Sequence, residues 1–283
     1  MQLMPLPQQI LQCGQLQLDL SQPHVMGILN VTPDSFSDGG KHNQVDQAIA
    51  YALAMVEQGA TIIDIGGEST RPGASEVSVE EEIRRVVPVV EALAKHNIVL
   101  SIDTSQPDVI CAAKEAGAHI WNDVRALTRP NALKTAADLD IPVVIMHMRG
   151  EPTTMNQLDQ YADVTLDVIA ELQQRVNEAL NAGVKKNNII IDPGFGFAKN
   201  AQQNLRLLKE FWKLGEMGYP ILSGLSRKRF IGEALKGATA DQRAVGSVTG
   251  HLISIQQGAS IVRAHDVKAM TDAILVWKAM IQA

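Results

Sequence analysis

Polar side chains recur where the short apolar runs of this sequence end. Together they offer carboxylates, amides, an ammonium, a guanidinium and imidazoles, the groups that bind anions and polar rings. The set comprises Asn30, Asp64, Asp103, Asn122, Asp123, His147, Asp192, Lys228, Arg263 and His265. Any single Asp or Asn could instead cap the following helix or form an Asx turn. Capping does not, however, require such different side chains to face one cavity.

Five residues near the ends of these apolar runs have a simpler alternative interpretation. Asp64, Glu68 and Asp123 could be capping or turn residues only, and Asp266 precedes Val267 as a helix N-cap would. His147 lies inside Met146-His147-Met148 and could be a hydrogen-bonded core histidine.

Asn30, Arg263 and His265 suit a phosphate or a pyrophosphate. An arginine fork, an imidazole and an amide oxygen next to a helix N-terminus can hold such an anion. Asn30 could also provide an oxygen ligand to an accompanying Mg²⁺. The alternative is that Arg263 pairs with Asp266 or with a neighbouring carboxylate.

Asp103, Asn122, Asp192 and Lys228 suit a flat heterocycle. An amino group beside a ring N–H presents two parallel donors, which match a carboxylate much as a guanidinium does. Lys228 would then donate to the acceptor edge of the same ring. A metal is the competing use of two aspartates, but the sequence has no neighbouring His/Cys cluster and no Asp-x-Asp pair there.

Two segments are long and rich in glycine, and we expect both to be loops. They are residues 32–40, with Phe36, and residues 66–78, with Pro72. An ordinary surface loop would explain their polarity, but a lone Phe at a loop tip is better explained by a lid that closes over substrate.

Eight short apolar runs alternate with longer segments of helical spacing. Strands that are nearly all apolar must be covered on both faces, so the pattern favours an α/β fold in which helices surround a parallel sheet. Eight units favour a single (β/α)8 TIM barrel over residues 1–283, with residues 1–24 as a short N-terminal extra segment that closes the barrel bottom. A doubly wound open sheet is the alternative, but no G-x-G-x-x-G follows the first strand.

Closure of the barrel would bring the ends of all eight strands around one mouth, with Asn30 beside Arg263 and His265. The net charge of −6 argues against a nucleic-acid-binding protein. The N-terminus lacks the basic and apolar regions of a signal peptide, and no apolar run is long enough for a membrane span. We therefore expect a cytoplasmic protein without a membrane partner.

Several motifs, in order, give the chain a specific resemblance to one family. They are residues 26–40 (MGILNVTPDSFSDGG), 64–73 (DIGGESTRPG), 101–104 (SIDT), 122–123 (ND), 146–148 (MHM), 192–194 (DPG), 224–228 (GLSRK) and 262–266 (VRAHD). The chain resembles the dihydropteroate synthases, the pterin-binding barrels of folate biosynthesis, from about Val25 to its C-terminus. Gln106 and Ala198 stand where many relatives have Lys and Gly.

The resemblance implies a reaction. A 7,8-dihydropterin-CH2-pyrophosphate would condense with 4-aminobenzoate to give 7,8-dihydropteroate and pyrophosphate, with Mg²⁺ and an SN1-like step. It also implies small-molecule substrates, competition by sulfonamides and a homodimer formed through the late helices.

The resemblance also assigns residues to three parts of the site. Asp103, Asn122, Asp192 and Lys228 would bind the pterin, with Met146 and Phe197 packed near the ring. Asn30, Arg263 and His265 would hold the pyrophosphate and, through Asn30, the metal. The group around 4-aminobenzoate would be Phe36, Thr70, Arg71, Pro72 and Ser226.

Three other functions remain open on the residues alone. A corrinoid-linked methyltetrahydrofolate methyltransferase domain would share the pterin aspartates without needing the first two loops. A non-catalytic pterin-binding paralogue would not need Phe36, Thr70, Arg71 and Lys228 intact. An unrelated phosphate-binding barrel isomerase or aldolase would explain Arg263 but not the pair of aspartates.

Overall fold

A computed structural model describes residues 3–32, 41–68, 77–151 and 153–283, apart from the side chains of residues 41–43 and 156. Eight parallel strands close into a barrel in which neighbours along the chain pair with each other and the last strand pairs with the first. The predicted (β/α)8 barrel is therefore confirmed, and the open-sheet alternative is excluded.

The elements have the following bounds. The strands are β1 (Ile10–Cys13), β2 (Leu16–Asp19), β3 (His24–Asn30), β4 (Ile62–Gly66), β5 (Val99–Asp103), β6 (Ile120–Asp123), β7 (Val143–Met146), β8 (Ile189–Asp192), β9 (Ile221–Ser223) and β10 (Ala259–Ala264). The α-helices are α1 (Lys41–Glu57), α2 (Val79–Leu93), α3 (Pro107–Glu115), α4 (Ala132–Leu139), α5 (Val164–Asn181), α6 (Ala201–Lys209), α7 (Arg229–Ala234), α8 (Ala244–Gln256) and α9 (Val267–Gln282).

The barrel strands are buried on both faces, as their Val- and Ile-rich sequences predict. Every residue of β4 and of β5 is buried, because one face points into the barrel and the other lies against the helices. Ile63, Ile65 and Val86 belong to the large apolar cluster between strands and helices. This packing fixes the strands in place and leaves their carboxyl ends to carry polar groups.

The first strands form an antiparallel hairpin at the bottom of the barrel. β1 pairs with β2, and Leu11 and Leu18 join one apolar cluster with Met26, Ile62 and Ile261. The hairpin therefore covers the interior at the end opposite the strand carboxyl termini.

The last barrel strand pairs with the first. β10 runs parallel to β3, with Ile261 opposite His24 and Arg263 opposite Met26. This pairing brings residues that are more than 200 positions apart in the sequence to one side of the barrel mouth.

The segment between β9 and β10 contains two α-helices, α7 and α8, where the other strand-helix units have one each over their described residues. α7 ends after six residues, because the Gly232 carbonyl accepts the N–H groups of Gly237 and Ala238, with Gly237 at φ 96°. Such a left-handed glycine terminates a helix. A short 3-10 turn, Ala240–Arg243, then leads into α8.

No helix in the described part of the chain combines the length and apolar character needed to cross a membrane.

Candidate active site

The carboxyl ends of the barrel strands surround a cavity of about 1070 Å³. Among the residues that line it are seven that the sequence assigned to substrate: Asn30, Asp103, Phe197, Ser226, Lys228, Arg263 and His265. Three more, Asn122, Met146 and Asp192, are buried at the ends of β6, β7 and β8. The tertiary structure thus brings the described members of the predicted set to one end of the barrel.

Asp64 is the centre of a hydrogen-bond network below the cavity. Its fully buried carboxylate accepts hydrogen bonds from Ser101 Oγ (2.6 Å), Asn122 Nδ2 (3.1 Å) and Arg263 Nε (2.5 Å). The capping interpretation of Asp64 is therefore wrong, because its partners come from three other strands. Since Nδ2 of Asn122 donates to Asp64, the amide oxygen of Asn122 points away from Asp64.

Arg263 bridges two aspartates. Besides Asp64, its Nη2 donates to Asp103 Oδ2 at 2.7 Å. Burial opposes the charge of Arg263, but the two carboxylates outweigh this effect and raise its pKa. Of the two alternatives for Arg263, the structure shows pairing with neighbouring carboxylates, and Asp266 is not among them.

Asp266 instead binds Arg227. Arg227 Nε and Nη2 donate to its two carboxylate oxygens at 2.9 and 2.6 Å. Asp266 does occupy the N-cap position of α9, but its side chain accepts no hydrogen bond from the helix. The predicted position is confirmed and the predicted capping bond is wrong, because the guanidinium takes both oxygens.

The carboxyls of Asp103 and Asp192 are buried, and one oxygen of Asp103 is left unsatisfied by the described residues. Within the described ranges, Asp103 Oδ1 has no hydrogen-bond partner, and Asp192 Oδ1 accepts the Gly194 N–H at 2.7 Å. Burial raises the pKa of Asp192 to about 6, against the opposing effects of that N–H and then of Lys228. Burial also raises the pKa of Asp103, although Arg263 opposes it. Such groups gain most from a ligand that supplies hydrogen-bond donors.

An apolar wall with a cation above it lies beside these carboxyls. Phe197 packs with Met146, Met155 and Val124, and Lys228 Nζ lies 4.1 Å from the centroid of the Phe197 ring. Lys228 also extends along the backbone of residue 196, where a Cβ would lie 3.1 Å from its Cδ. The wall thus presents an aromatic side chain and a hydrogen-bond donor to the cavity.

Ser226 and His265 are hydrogen-bonded to each other. The His265 N–H donates to Ser226 Oγ at 3.1 Å, and His265 Nδ1 lies 3.0 Å from the same oxygen. The segment that carries Ser226 is fixed by its neighbours: Arg227 has φ 55°, its N–H donates to Ser247 Oγ and its carbonyl accepts from Arg243 Nη1. The residue assigned to 4-aminobenzoate thus contacts one assigned to pyrophosphate.

Asn30 lies at the cavity next to Asp103. A Cβ on Gly66 would lie 3.7 Å from Asn30 Oδ1 and 3.8 Å from Asp103 Oδ2, so both oxygens lie near the backbone of this residue, and both residues line the cavity. Within residues 3–32, 41–68, 77–151 and 153–283, no group of three or more His, Cys, Asp or Glu side chains could hold a metal. An amide oxygen supplemented by substrate oxygens and water fits the way Mg²⁺ is usually bound in proteins.

His147 belongs to a buried network that sequence reasoning did not find in full. Its Nε2 lies 3.0 Å from Glu171 Oε2, and its Nδ1 lies 2.9 Å from Lys199 Nζ. The interpretation of His147 as a hydrogen-bonded core histidine is confirmed. Burial, followed by the charge of Lys199, lowers the pKa of His147 to about 4, so the ring is neutral at pH 7.

The turn interpretation of Asp123 is also confirmed. Its carboxylate accepts the N–H groups of Arg125 and Leu127, both at 2.8 Å, and the hydroxyl of Ser105 at 2.5 Å. Glu68 lies 3.6 Å from Arg125 and makes an ion pair.

Four predicted residues, Phe36, Thr70, Arg71 and Pro72, lie outside the described residues. Sequence reasoning missed two groups that the structure brings to the site, Asp64 as a shared acceptor and Lys199 as a buried cation. A basic residue in the loop that follows Asp192 was the available signal for Lys199.

Comparisons with known proteins agree with this geometry. Residues 26–265 match the model of the pterin binding enzyme family. The chain is 52% identical over 267 residues to the dihydropteroate synthase of Haemophilus influenzae, which covers 94% of this chain and 97% of that protein.

Two solved structures are similar along almost the whole chain. Dihydropteroate synthase of Xanthomonas albilineans with 4-aminobenzoic acid has a TM-score of 0.92 and 49% identity, covering 97% of this chain and 98% of that one. Dihydropteroate synthase of Yersinia pestis in a sulfonamide drug complex also has a TM-score of 0.92 and 49% identity, covering 97% and 100%. The chain therefore belongs to the pterin-binding enzyme family, and within it to the dihydropteroate synthases.

Proposed function

We propose that this transferase condenses a 7,8-dihydropterin-CH2-pyrophosphate with 4-aminobenzoate, releasing 7,8-dihydropteroate and pyrophosphate. The observation that carries the proposal is one cavity with two different ends. At one end are the buried carboxyls of Asp103 and Asp192, and Asp103 Oδ1 has no hydrogen-bond partner among the described residues; the cation Arg263, on β10, lines the cavity toward the other end. A substrate with a donor-rich ring and an anionic tail complements both ends.

The pterin ring fits the buried end. Its amino group and ring N–H would donate to Asp192, while Asn122 and Lys228 provide an acceptor and a donor for the remaining ring edge. Phe197 and Met146 would pack against the flat ring from the apolar side. Asp103 Oδ1, which lacks a partner among the described residues, would accept a further donor of the pterin.

The pyrophosphate fits the opposite end, at the junction of β10 and β3. Arg263 and His265 would donate to its oxygens there, provided that Arg263 exchanges part of its contact with the two aspartates for the phosphate. Asn30 would hold Mg²⁺ through its amide oxygen. When bound, this ion would supply positive charge against the charge that develops on the leaving pyrophosphate.

The residues of this chain support a dissociative, SN1-like displacement. Arg263 and His265 would stabilise the departing diphosphate, and the electron-rich dihydropterin delocalises the positive charge left on its methylene carbon. The amine of 4-aminobenzoate is neutral at pH 7 and attacks without a dedicated general base. Catalysis then comes mainly from positioning and electrostatics.

The amine would be held on the mouth side of the pterin. Ser226, together with Phe36, Thr70, Arg71 and Pro72, would surround 4-aminobenzoate as the loops close. The Ser226–His265 hydrogen bond supports a close approach of the two substrates. Sulfonamides, which mimic 4-aminobenzoate, should compete for the same position.

We further propose that two copies form a homodimer through α8 and α9. Val245, Leu275, Val276 and Met280 on these helices are 80%, 59%, 71% and 55% exposed. An apolar surface of this kind favours association with a second copy.

One assay tests the proposed reaction. The full chain is mixed with a dihydropterin pyrophosphate, 4-aminobenzoate and Mg²⁺, while pyrophosphate release and dihydropteroate are measured together. We expect both products in equal amounts, and neither when 4-aminobenzoate is omitted. Transfer of a methyl group from methyltetrahydrofolate without pyrophosphate release, or pterin binding without turnover, would refute the proposal in favour of the alternatives considered above.

A further inference from the structure

Lys199 is a buried cation at the wall of the substrate cavity, and its ammonium group has three close partners. Its Nζ donates to the carbonyls of Gly194 and Phe197, both at 3.0 Å, and lies 2.9 Å from His147 Nδ1. The residue is only 9% exposed. An ammonium group has three hydrogens, so these three acceptors use its full donor capacity.

The position of the third acceptor is fixed by a chain of contacts. The other ring nitrogen of His147 donates to Glu171 Oε2 at 3.0 Å, which leaves Nδ1 to accept from Lys199. Glu171 in turn binds Arg149, whose guanidinium lies 3.9 Å from the centroid of the Tyr161 ring. Lys199 is therefore tied to α5 as well as to its own loop.

The loop between β8 and α6 needs such support. Gly194, Gly196 and Ala198 have φ values of 66°, 79° and 49°, and a Cβ on Gly194 would lie 1.9 Å from the His147 carbonyl oxygen. A left-handed conformation costs a residue other than glycine about 1–2 kcal/mol, so Ala198 is strained. The two carbonyls that Lys199 binds belong to this turn, and the turn also carries Phe197 and the N–H that contacts Asp192.

We propose that Lys199 is a positioning residue for the pterin, which holds the loop at residues 193–199 so that Phe197 and Asp192 keep their places beside the ring. The inference rests on the proposed function and adds a residue that acts through others. Lys199 itself need not touch the substrate.

The charge of Lys199 also acts on Asp192. The cations that face Asp192 are Lys228, Lys199 and Arg263, and each favours its ionised form. Burial is the largest effect on Lys199 and lowers its pKa to about 7. The pKa of Lys199 is also raised by two carboxylates, Asp192 and Glu171, and lowered by two cations, Arg149 and Lys228. Its ammonium group also contacts the ring of His147. Removing the charge should therefore shift the ionisation of Asp192 to higher pH.

The test compares Lys199→Met with the wild-type chain and with Lys209→Met. Lys209 is an exposed lysine in the last turn of α6, so its substitution controls for the loss of one positive charge. Binding of a free pterin without the diphosphate is measured by calorimetry from pH 5 to pH 9, binding of Mg²⁺-pyrophosphate is measured separately, and turnover is recorded. Lys199→Gln is a second variant, because its amide can still donate to one of the two carbonyls.

We expect Lys199→Met to weaken binding of the free pterin about tenfold. Binding of Mg²⁺-pyrophosphate should stay within about twofold of the wild-type value, and the acidic limit of pterin binding should move up by about one pH unit. Lys199→Gln should lose less affinity but show the same pH shift, since both variants lack the charge. Lys209→Met should change none of these quantities.

Three results would overturn the inference. The first is free-pterin affinity within about twofold of wild type in both variants. The second is an equal loss of pterin and pyrophosphate binding, and the third is global unfolding of both variants, measured by circular dichroism. The first result would leave Lys199 without a role in pterin binding, and the other two would assign it to general stability. A wild-type chain that binds pterin but releases no pyrophosphate would refute the proposed reaction instead, and pterin binding by the variants would still decide on Lys199.

Discussion

Asp103 and Asp192 differ in how their charge is balanced. Asp103 shares Arg263 with Asp64, whereas Asp192 accepts the backbone N–H of Gly194 and is influenced by cations at longer range. A neutral donor leaves a carboxylate more dependent on its ligand than an ion pair does. Asp192 is therefore the residue at which pterin binding should be most sensitive to substitution.

Asp192→Asn should weaken binding of a free pterin by about 2–3 kcal/mol at pH 7.5, because a charge-assisted hydrogen bond is lost and one amide hydrogen faces the ring donors. Binding of Mg²⁺-pyrophosphate should change little. Calorimetry with each ligand measures both effects, with the exposed Asp138→Asn as control. Equal loss of the two ligands would contradict the division of the site into two ends.

The same substitution should change how stability depends on pH. The folded-state pKa of Asp192 is raised from 3.8 to about 6, so its contribution to stability is present below the unfolded pKa and is lost as pH rises through about 6. Asp192→Asn should therefore gain about 3 kcal/mol relative to wild type between pH 3 and pH 8. Urea unfolding of both proteins over this range measures the difference in their free energies of unfolding. A difference that does not change with pH would contradict the proposal that burial raises the pKa of Asp192.

Ala198 provides a test of backbone conformation, since it is buried and has φ 49°. Ala198→Gly should change stability by less than about 1 kcal/mol, because relief of the left-handed strain is offset by a lost methyl group and a more flexible unfolded chain. Ala198→Val should cost at least about 2 kcal/mol, since a β-branched residue is poorly accommodated at positive φ. Thermal and urea unfolding measure the stability of both variants. Equal stability of the two variants would be inconsistent with a left-handed conformation at Ala198.

At the scale of the elements, a loop that carries site residues is held in place by hydrogen bonds from a neighbouring element. The segment after β9 carries Ser226 and Lys228, and Arg243, at the end of the 3-10 turn before α8, donates to the carbonyls of Arg227 and Ala238 at 3.1 and 2.8 Å. A Cβ on Gly232 would lie 2.3 Å from Arg243 Nε, so glycine makes room for this guanidinium. Arg243 thus joins α7, α8 and the loop at the cavity.

Arg243→Met should lower the free energy of unfolding by about 1–2 kcal/mol, because two half-buried carbonyls lose a charged donor. It should also raise KM for both substrates by about threefold or more, since Ser226 and Lys228 share the loosened segment. Unfolding and steady-state kinetics measure these changes. Arg84→Met, at a side chain on α2 that is 54% exposed and does not line the cavity, is the control, and an equal effect there would contradict the bracing role of Arg243.

At the scale of the whole molecule, closure of the barrel decides what the chain can bind. The β10–β3 pairing brings Arg263 to the mouth, while the N-terminal hairpin covers the opposite end. One end is thus available for chemistry and the other contributes stability, as in other barrels of this class. The exposed apolar residues of α8 and α9 lie on the outer surface, where a second copy can reach them.

Val276→Glu should weaken self-association at least about tenfold, because an isologous interface places the added charge at two equivalent positions. Sedimentation velocity over a range of concentrations measures the shift from dimer to monomer. Leu166→Glu makes the same kind of change on α5, at a residue that is 54% exposed, and should leave the assembly intact. A wild-type chain that is monomeric at all concentrations would exclude the proposed dimer.

The sequence alone determined the eight strand-helix units and the polar residues at the ends of the strands, because both depend on local periodicity and on short motifs. It did not determine which charged groups pair. Arg263 binds aspartates 199 and 160 positions away, and the burial of Lys199 depends on a histidine 52 positions before it. These partners are selected when the barrel closes and water is removed, since a buried charge must then be satisfied by whichever groups the neighbouring strands supply.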